Sequence, residues 1–142
     1  GIEMKTDRVF KETDFSDADM LVLPGGMPGT KYLGEYQPLC DLLRDFYGKG
    51  GKVAAICAAP TVLASLGFLE GRNATAYQIG RPSCMEGLAG AKPSPESVVV
   101  DGDVTTSRGL GTAIDFALSL IGQLLGDDKA DEIAESVVYS RK

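Results

Sequence analysis

Lys52-Val53-Ala54-Ala55-Ile56-Cys57-Ala58-Ala59-Pro60 is the stretch on which the fold turns. Residues 52–56 form a short apolar run of the kind that makes a parallel strand buried on both faces. Cysteine stands at the exit of that run, and its neighbours are small, as a sharp strand-to-helix turn requires. This is the logic of a nucleophile elbow, with sulfur in place of oxygen. Pro60 suits a first helical turn, where its missing N–H costs nothing. A helix start offers free N–H groups and partial positive charge, and both favour a thiolate. The end of a parallel strand is also where open α/β sheets bind ligands. The competing reading is a small buried hydrophobe, which most lone cysteines are. Cys57 lies at the exit of the apolar run rather than within it, which favours chemistry over packing.

Working outward, residues 20–23 make a second short apolar run, closed by Pro24-Gly25-Gly26, and read as another buried strand. Residues 2–10 alternate in part and suggest an extended hairpin edge, and residues 14–19 an acidic turn. Leu39, Leu42, Leu43, Phe46 and Tyr47 recur at helical spacing, and Gly48, Gly50 and Gly51 stop that helix. Downstream, residues 61–66 read as helix, 74–76 as a short strand and 81–90 as irregular. Residues 97–101 and 104–107 read as a hairpin, with Asp101-Gly102 as its turn signal. The strongest helix is 112–125, with Ile114, Leu118, Ile121, Leu124 and Leu125 on one stripe, and a final helix follows over 127–139. Strands alternating with helices predict an α/β domain over 1–142, its mostly parallel sheet covered on both faces.

Two glycine-bearing stretches join the elbow as candidates. In Leu23-Pro24-Gly25-Gly26 the glycine pair at a strand end permits close backbone approach, and its N–H groups can face an oxyanion. The alternative is a plain tight turn. Thr105-Thr106-Ser107-Arg108-Gly109-Leu110-Gly111-Thr112 joins a strand to the longest helix. It fits neither common phosphate-loop pattern, and it reads equally as a pocket wall or as a turn capped by Thr112.

Composition narrows the chemistry. The 142 residues carry a net charge of −6, which disfavours a nucleic-acid partner. No apolar run approaches the roughly 18 residues that span a membrane, and Gly1-Ile2-Glu3-Met4 is not signal-peptide-like. Cys40, Cys57 and Cys84 form no disulfide framework, which implies a reducing, cytoplasmic setting. The sequence contains no histidine. No Ser-His-Asp or Cys-His pair can be built from it, and no zinc site is expected, since zinc favours Cys and His ligands. Cys40 is read as core packing, Cys84 as an exposed bystander before a secondary oxidation site, and Asp115 as dipole compensation for its helix.

Taken in order, Leu23-Pro24-Gly25-Gly26, the Cys57 elbow and Thr106-Ser107-Arg108-Gly109-Leu110-Gly111-Thr112 resemble the ThiJ/PfpI superfamily. The closest likeness is to the bacterial members of its Parkinson-disease deglycase branch. The resemblance implies a flavodoxin-like three-layer sandwich and a homodimer. It implies that Cys57 is the nucleophilic, oxidation-prone cysteine. Gly26 and Ala58 would give backbone N–H groups to an oxyanion, and Gly25 would shape their loop. Gly109 and Leu110 would line the pocket, with Tyr77 closing it. The implied substrate is a small aldehyde of the methylglyoxal type, handled by a glyoxalase or deglycase without a cofactor. A non-enzymatic oxidative-stress sensor or chaperone, with Cys57 oxidised to sulfenic or sulfinic acid, is the alternative.

Three departures accompany the resemblance. The family's opening strand–helix–strand unit, with a glutamate that bonds the cysteine, has no match here. The expectation is therefore of a further N-terminal segment of the same protein, whose removal would leave strand edges bare. Tyr77 stands where some members place a histidine, and Leu110 where a proline is common.

Overall fold

β2, Lys52–Ile56, runs through the middle of the sheet and is covered on both sides. Val53 and Ala55 pack with Leu23, Leu43, Val62 and Leu63, while Ala54 packs with Phe116 and Leu120, and Ile56 lies against that second cluster. The alternation follows from the period-2 geometry of a strand, and it requires apolar residues at every position. The computed structural model describes residues 2–80 and 82–141. Gly1 and Arg81, which enter the readings of the N-terminus and of the irregular 81–90 stretch, lie outside the described residues.

The other strands are β1 Met20–Leu23, β3 Asn73–Ala74, β4 Lys92–Pro93, β5 Val98–Asp101 and β6 Val104–Ser107. The helices are α1 Gly29–Glu35, α2 Gln37–Gly48, α3 Pro60–Ser65, α4 Ala113–Leu125 and α5 Asp127–Ser136. The main sheet has the order β1-β2-β6-β5, and β3 pairs with β4 in a small parallel ribbon. β1–β2 and β2–β6 are parallel, with Leu23 opposite Ala55 and Ile56 opposite Ser107. β5 and β6 form the antiparallel hairpin, turning at Gly102, whose φ of 61° only glycine adopts freely. α2 and α3 supply the core on one face, and α4, backed by α5, covers the other. β1 is an outer strand among the described residues, and Val22 on it is 46% exposed.

Several expectations are corrected. Residues 2–10 form no strand; the segment ends in a 3-10 turn, Phe10–Glu12, anchored by Phe10 against Phe15 and Tyr36. α1 and β4 have no counterpart in the sequence reading. α1 is short and carries glycine at both Gly29 and Gly34, so no apolar periodicity marks it. The apolar stripe of α4 is also different. Phe116 and Leu120 face the sheet and Leu118 is buried on another side of the helix, whereas Ile114, Leu124 and Leu125 are exposed. Nearly every position in this helix is apolar, so periodicity alone does not select the face. The sheet decides it, with Gln123 completing the inward row through a 3.0 Å bond to Thr105 Oγ1. On another side of α4, Gly122 allows α5 to approach: a Cβ there would lie 3.9 Å from that of Ala130.

Candidate functional site

The register aligns the ends of β1, β2 and β6, so the three motifs emerge side by side at one edge of the sheet. Between the flanking two sits Cys57, with φ 66°, a left-handed conformation that costs a non-glycine residue about 1–2 kcal/mol. Local bonds hold it there. The Cys57 N–H donates to Ser107 O at 2.9 Å, extending the β2–β6 ladder by one residue, and the Cys57 C=O accepts from Tyr77 N–H at 2.8 Å. Ala59 N–H then turns back to Ile56 O at 3.1 Å, and α3 begins at Pro60. Both backbone groups of Cys57 are thus committed, and the side chain is directed by the turn.

Gly25 and Gly109 close on the cysteine from either side. A Cβ on Gly25 would fall 2.5 Å from Cys57 Cβ and 2.7 Å from Ile56 O, so only glycine fits. A Cβ on Gly109 would sit 3.8 Å from Cys57 Sγ and 3.5 Å from Tyr77 Cδ2. Gly26, with φ 94°, bends the chain into α1, and its C=O accepts from Thr30 N–H at 2.8 Å. Among the described residues the N–H groups of Gly26 and Ala58 donate to no protein acceptor, and Ala58 is buried.

Thr112 fixes the third loop. Its Oγ1 accepts from Gly109 N–H at 3.1 Å and lies 2.7 Å from Ser107 Oγ, which donates to Ser97 O at 2.7 Å. The Thr112 side chain therefore ties the glycine loop to β6 and does not cap α4. Arg108 donates to Pro95 O at 3.1 Å and to Ser97 Oγ at 2.9 Å. Asp115 accepts the Tyr139 hydroxyl at 2.7 Å, which fastens the C-terminal segment to α4.

Tyr77, Gly109 and Leu110 line a shallow cavity of about 300 Å³ whose walls do not include Cys57, Gly25, Gly26 or Ala58; Gly109 links it to the cysteine, and Leu110 is 94% exposed on its rim. A larger cavity, about 840 Å³, lies at the opposite end of β2, where residues 13–19 meet Phe46 and Lys52. It touches none of the motif residues, so size does not mark the site here. Cys40 is buried with its Sγ 3.4 Å from Gly34 O, in the core as expected. Cys84 is the residue the sequence misplaces. It is half-buried, its N–H donates to Tyr77 O at 3.1 Å, and burial pushes its thiol up, the nearby Cys57 adding to the effect. No local pattern announces this, because the contact is made across a loop.

A doubly wound α/β sheet with a cysteine-bearing elbow and two glycine loops closing on it is the class these features define. The chain belongs to the DJ-1/PfpI family, whose family model matches residues 1–123. Protein dj-1beta of Drosophila melanogaster is 42% identical over 122 residues, covering 86% of this chain and 64% of that protein. A Caenorhabditis elegans protein named glutathione-independent glyoxalase DJR-1.2 is 32% identical over 141 residues, covering 99% of this chain and 74% of its own length. The crystal structure of Drosophila DJ-1beta superposes with a TM-score of 0.77 at 41% identity, over 87% of this chain and 65% of that one. Schizosaccharomyces pombe DJ-1 superposes at 0.84 with 28% identity, over 98% and 75%. The flavodoxin-like α/β fold is common to all of these. This chain spans 64% of the Drosophila relative's length and 34% of that of Arabidopsis thaliana DJ-1 homolog A. No described helix is long and apolar enough to cross a membrane.

Proposed function

We propose that this chain carries the cysteine centre of a glyoxalase-type enzyme acting on small α-oxoaldehydes such as methylglyoxal. The observation that carries the reading is the left-handed Cys57, held at a strand exit between Gly25 and Gly109 with the Gly26 and Ala58 N–H groups unspent. A non-glycine residue in that conformation persists only where its surroundings over-determine it, and such positions concentrate at reactive sites. The name of the Caenorhabditis relative supports the substrate class.

In this reading the Cys57 sulfur attacks the aldehyde carbon and a C–S bond forms, giving a hemithioacetal. The negative charge moves to the former carbonyl oxygen, which the N–H groups of Gly26 and Ala58 receive. Tyr77, Gly109 and Leu110 form the wall that orients the rest of the substrate. A proton then moves from the former aldehyde carbon to its neighbour, and hydrolysis of the resulting thioester releases a hydroxy acid. That proton transfer requires a base beside the sulfur, and the described residues place no carboxylate in hydrogen-bond contact with Cys57 Sγ. The protein acts as a homodimer, the chain folds as one domain, and its setting is a reducing cytoplasm.

The test is lactate production from methylglyoxal by the full-length protein and by Cys57→Ser. Loss of turnover in the variant supports the reading, and retained turnover overturns it. A second reading, an oxidation sensor without turnover, is favoured by the half-exposed thiol and by an oxidised Toxoplasma gondii DJ-1 among the structural relatives. Peroxide modification confined to Cys57, with negligible glyoxalase rate, distinguishes it.

A further inference from the structure

Cys57 and Cys84 lie far apart in the chain, yet a single residue bridges their backbones. Tyr77 donates its N–H to Cys57 O at 2.8 Å and accepts Cys84 N–H on its own C=O at 3.1 Å. Both cysteines are half-buried and unpaired, whereas Cys40 is buried on α2 and directed at the α1 carbonyls of Leu33 and Gly34. Cys84 packs at the border of the core cluster that includes Ala59 and Val62 of the elbow. A charge on Cys57 would act on the Cys84 thiol, as the proximity of the two residues requires. Gly80, with φ 105°, lies in the loop that carries Cys84, and nothing within 4 Å would restrain a Cβ there.

We propose that Cys84 is the resolving cysteine for Cys57, so that a hydroperoxide converts the pair into a reversible Cys57–Cys84 disulfide. The Cys57 thiolate attacks one peroxide oxygen; an S–O bond forms, the O–O bond breaks, and the departing alkoxide or hydroxide takes a proton. Sulfur is oxidised to the sulfenic acid and the peroxide is reduced. Cys84 sulfur then attacks Cys57 sulfur. The S–S bond forms, the S–O bond breaks, and hydroxide leaves with the Cys84 proton as water. Formation of the disulfide protects Cys57 from the irreversible sulfinic state. Cys57 stands beside Gly109 at the cavity, so it is the first of the two to meet the oxidant. The inference needs only that Cys57 is oxidisable, and its readout is independent of whether the protein turns over methylglyoxal.

The experiment is peptide mapping by mass spectrometry under non-reducing conditions, on full-length protein treated with equimolar hydrogen peroxide. The expected result is a cross-linked pair of peptides containing Cys57 and Cys84, two hydrogens lighter than their sum and separated by dithiothreitol. Cys40→Ser retains the cross-link. Cys84→Ser loses it and, with a second equivalent of peroxide, accumulates sulfinic acid at Cys57 instead. Sulfinic acid at Cys57 in the unsubstituted protein, with Cys84 still open to alkylation, overturns the proposal. So does a cross-link from Cys57 to Cys40 or to a second molecule. Should the protein show no glyoxalase turnover, the mapping result stands by itself; should it show turnover, peroxide inactivation is reversed by dithiothreitol only while Cys84 is present.

Discussion

Gly25 touches Cys57 so closely that a Cβ on the glycine would lie 2.5 Å from the cysteine's own Cβ. The end of one strand thus braces the residue at the end of the next. A methyl group at Gly25 has no space that a rotamer change can provide, because the neighbours at 2.7 Å and 3.3 Å are the backbone atoms Ile56 O and Ala58 N. Gly25→Ala should destabilise the protein by about 1–3 kcal/mol, as forced overpacking does, and should change the alkylation rate of Cys57. Urea unfolding and iodoacetamide kinetics check the two effects. An unaltered unfolding midpoint would contradict the contact.

Thr112 is expected to matter through its hydroxyl. Thr112→Val keeps the bulk but removes the acceptor for Gly109 N–H and the partner of Ser107 Oγ, both in buried surroundings. The cost should be about 1–3 kcal/mol, the penalty for leaving buried polar groups without partners. Because Gly109 walls the cysteine, KM for methylglyoxal should rise as well.

The two faces of α4 give a direct comparison. Phe116 is 5% exposed and packed on Ala54, whereas Leu125 is 68% exposed. Phe116→Ala should cost about 3–5 kcal/mol, and Leu125→Ala should stay within about 0.5 kcal/mol. Equal losses would restore the stripe suggested by periodicity.

Acid stability should depend on Asp101. Backbone and side-chain N–H groups of Asn73 hold its carboxyl below the ordinary value of 3.8, helped by Arg72 and opposed by burial, which outweighs either Arg72 contribution. A depressed folded-state value means that the stabilisation is fully present above the unfolded value and disappears as pH falls through the folded one. Asp101→Asn should therefore lower the urea midpoint at neutral pH and flatten its decline below the ordinary carboxylate range. A parallel decline in both proteins would show that Asp101 carries none of it.

Much of this architecture is readable without coordinates. The run Lys52–Ile56, the cysteine at its exit and the Pro24-Gly25-Gly26 break identify two buried strands, because each signal is local and steric; that the two are neighbours is a result of the sheet's packing. The hairpin at Asp101-Gly102 is legible for the same reason. α1 is not legible, since a helix of seven residues with two glycines has too little periodicity to register.

The sequence by itself determined the elbow, the glycine loops and the alternation of strand and helix, because those depend on which residues tolerate a given backbone turn. Only the tertiary structure decided which face of α4 meets the sheet, that Thr112 ties a loop instead of capping a helix, and that Tyr77 brings Cys84 to Cys57. These are contacts between distant segments. Their partners are chosen by how the layers pack, and chain-local propensity carries no record of that choice.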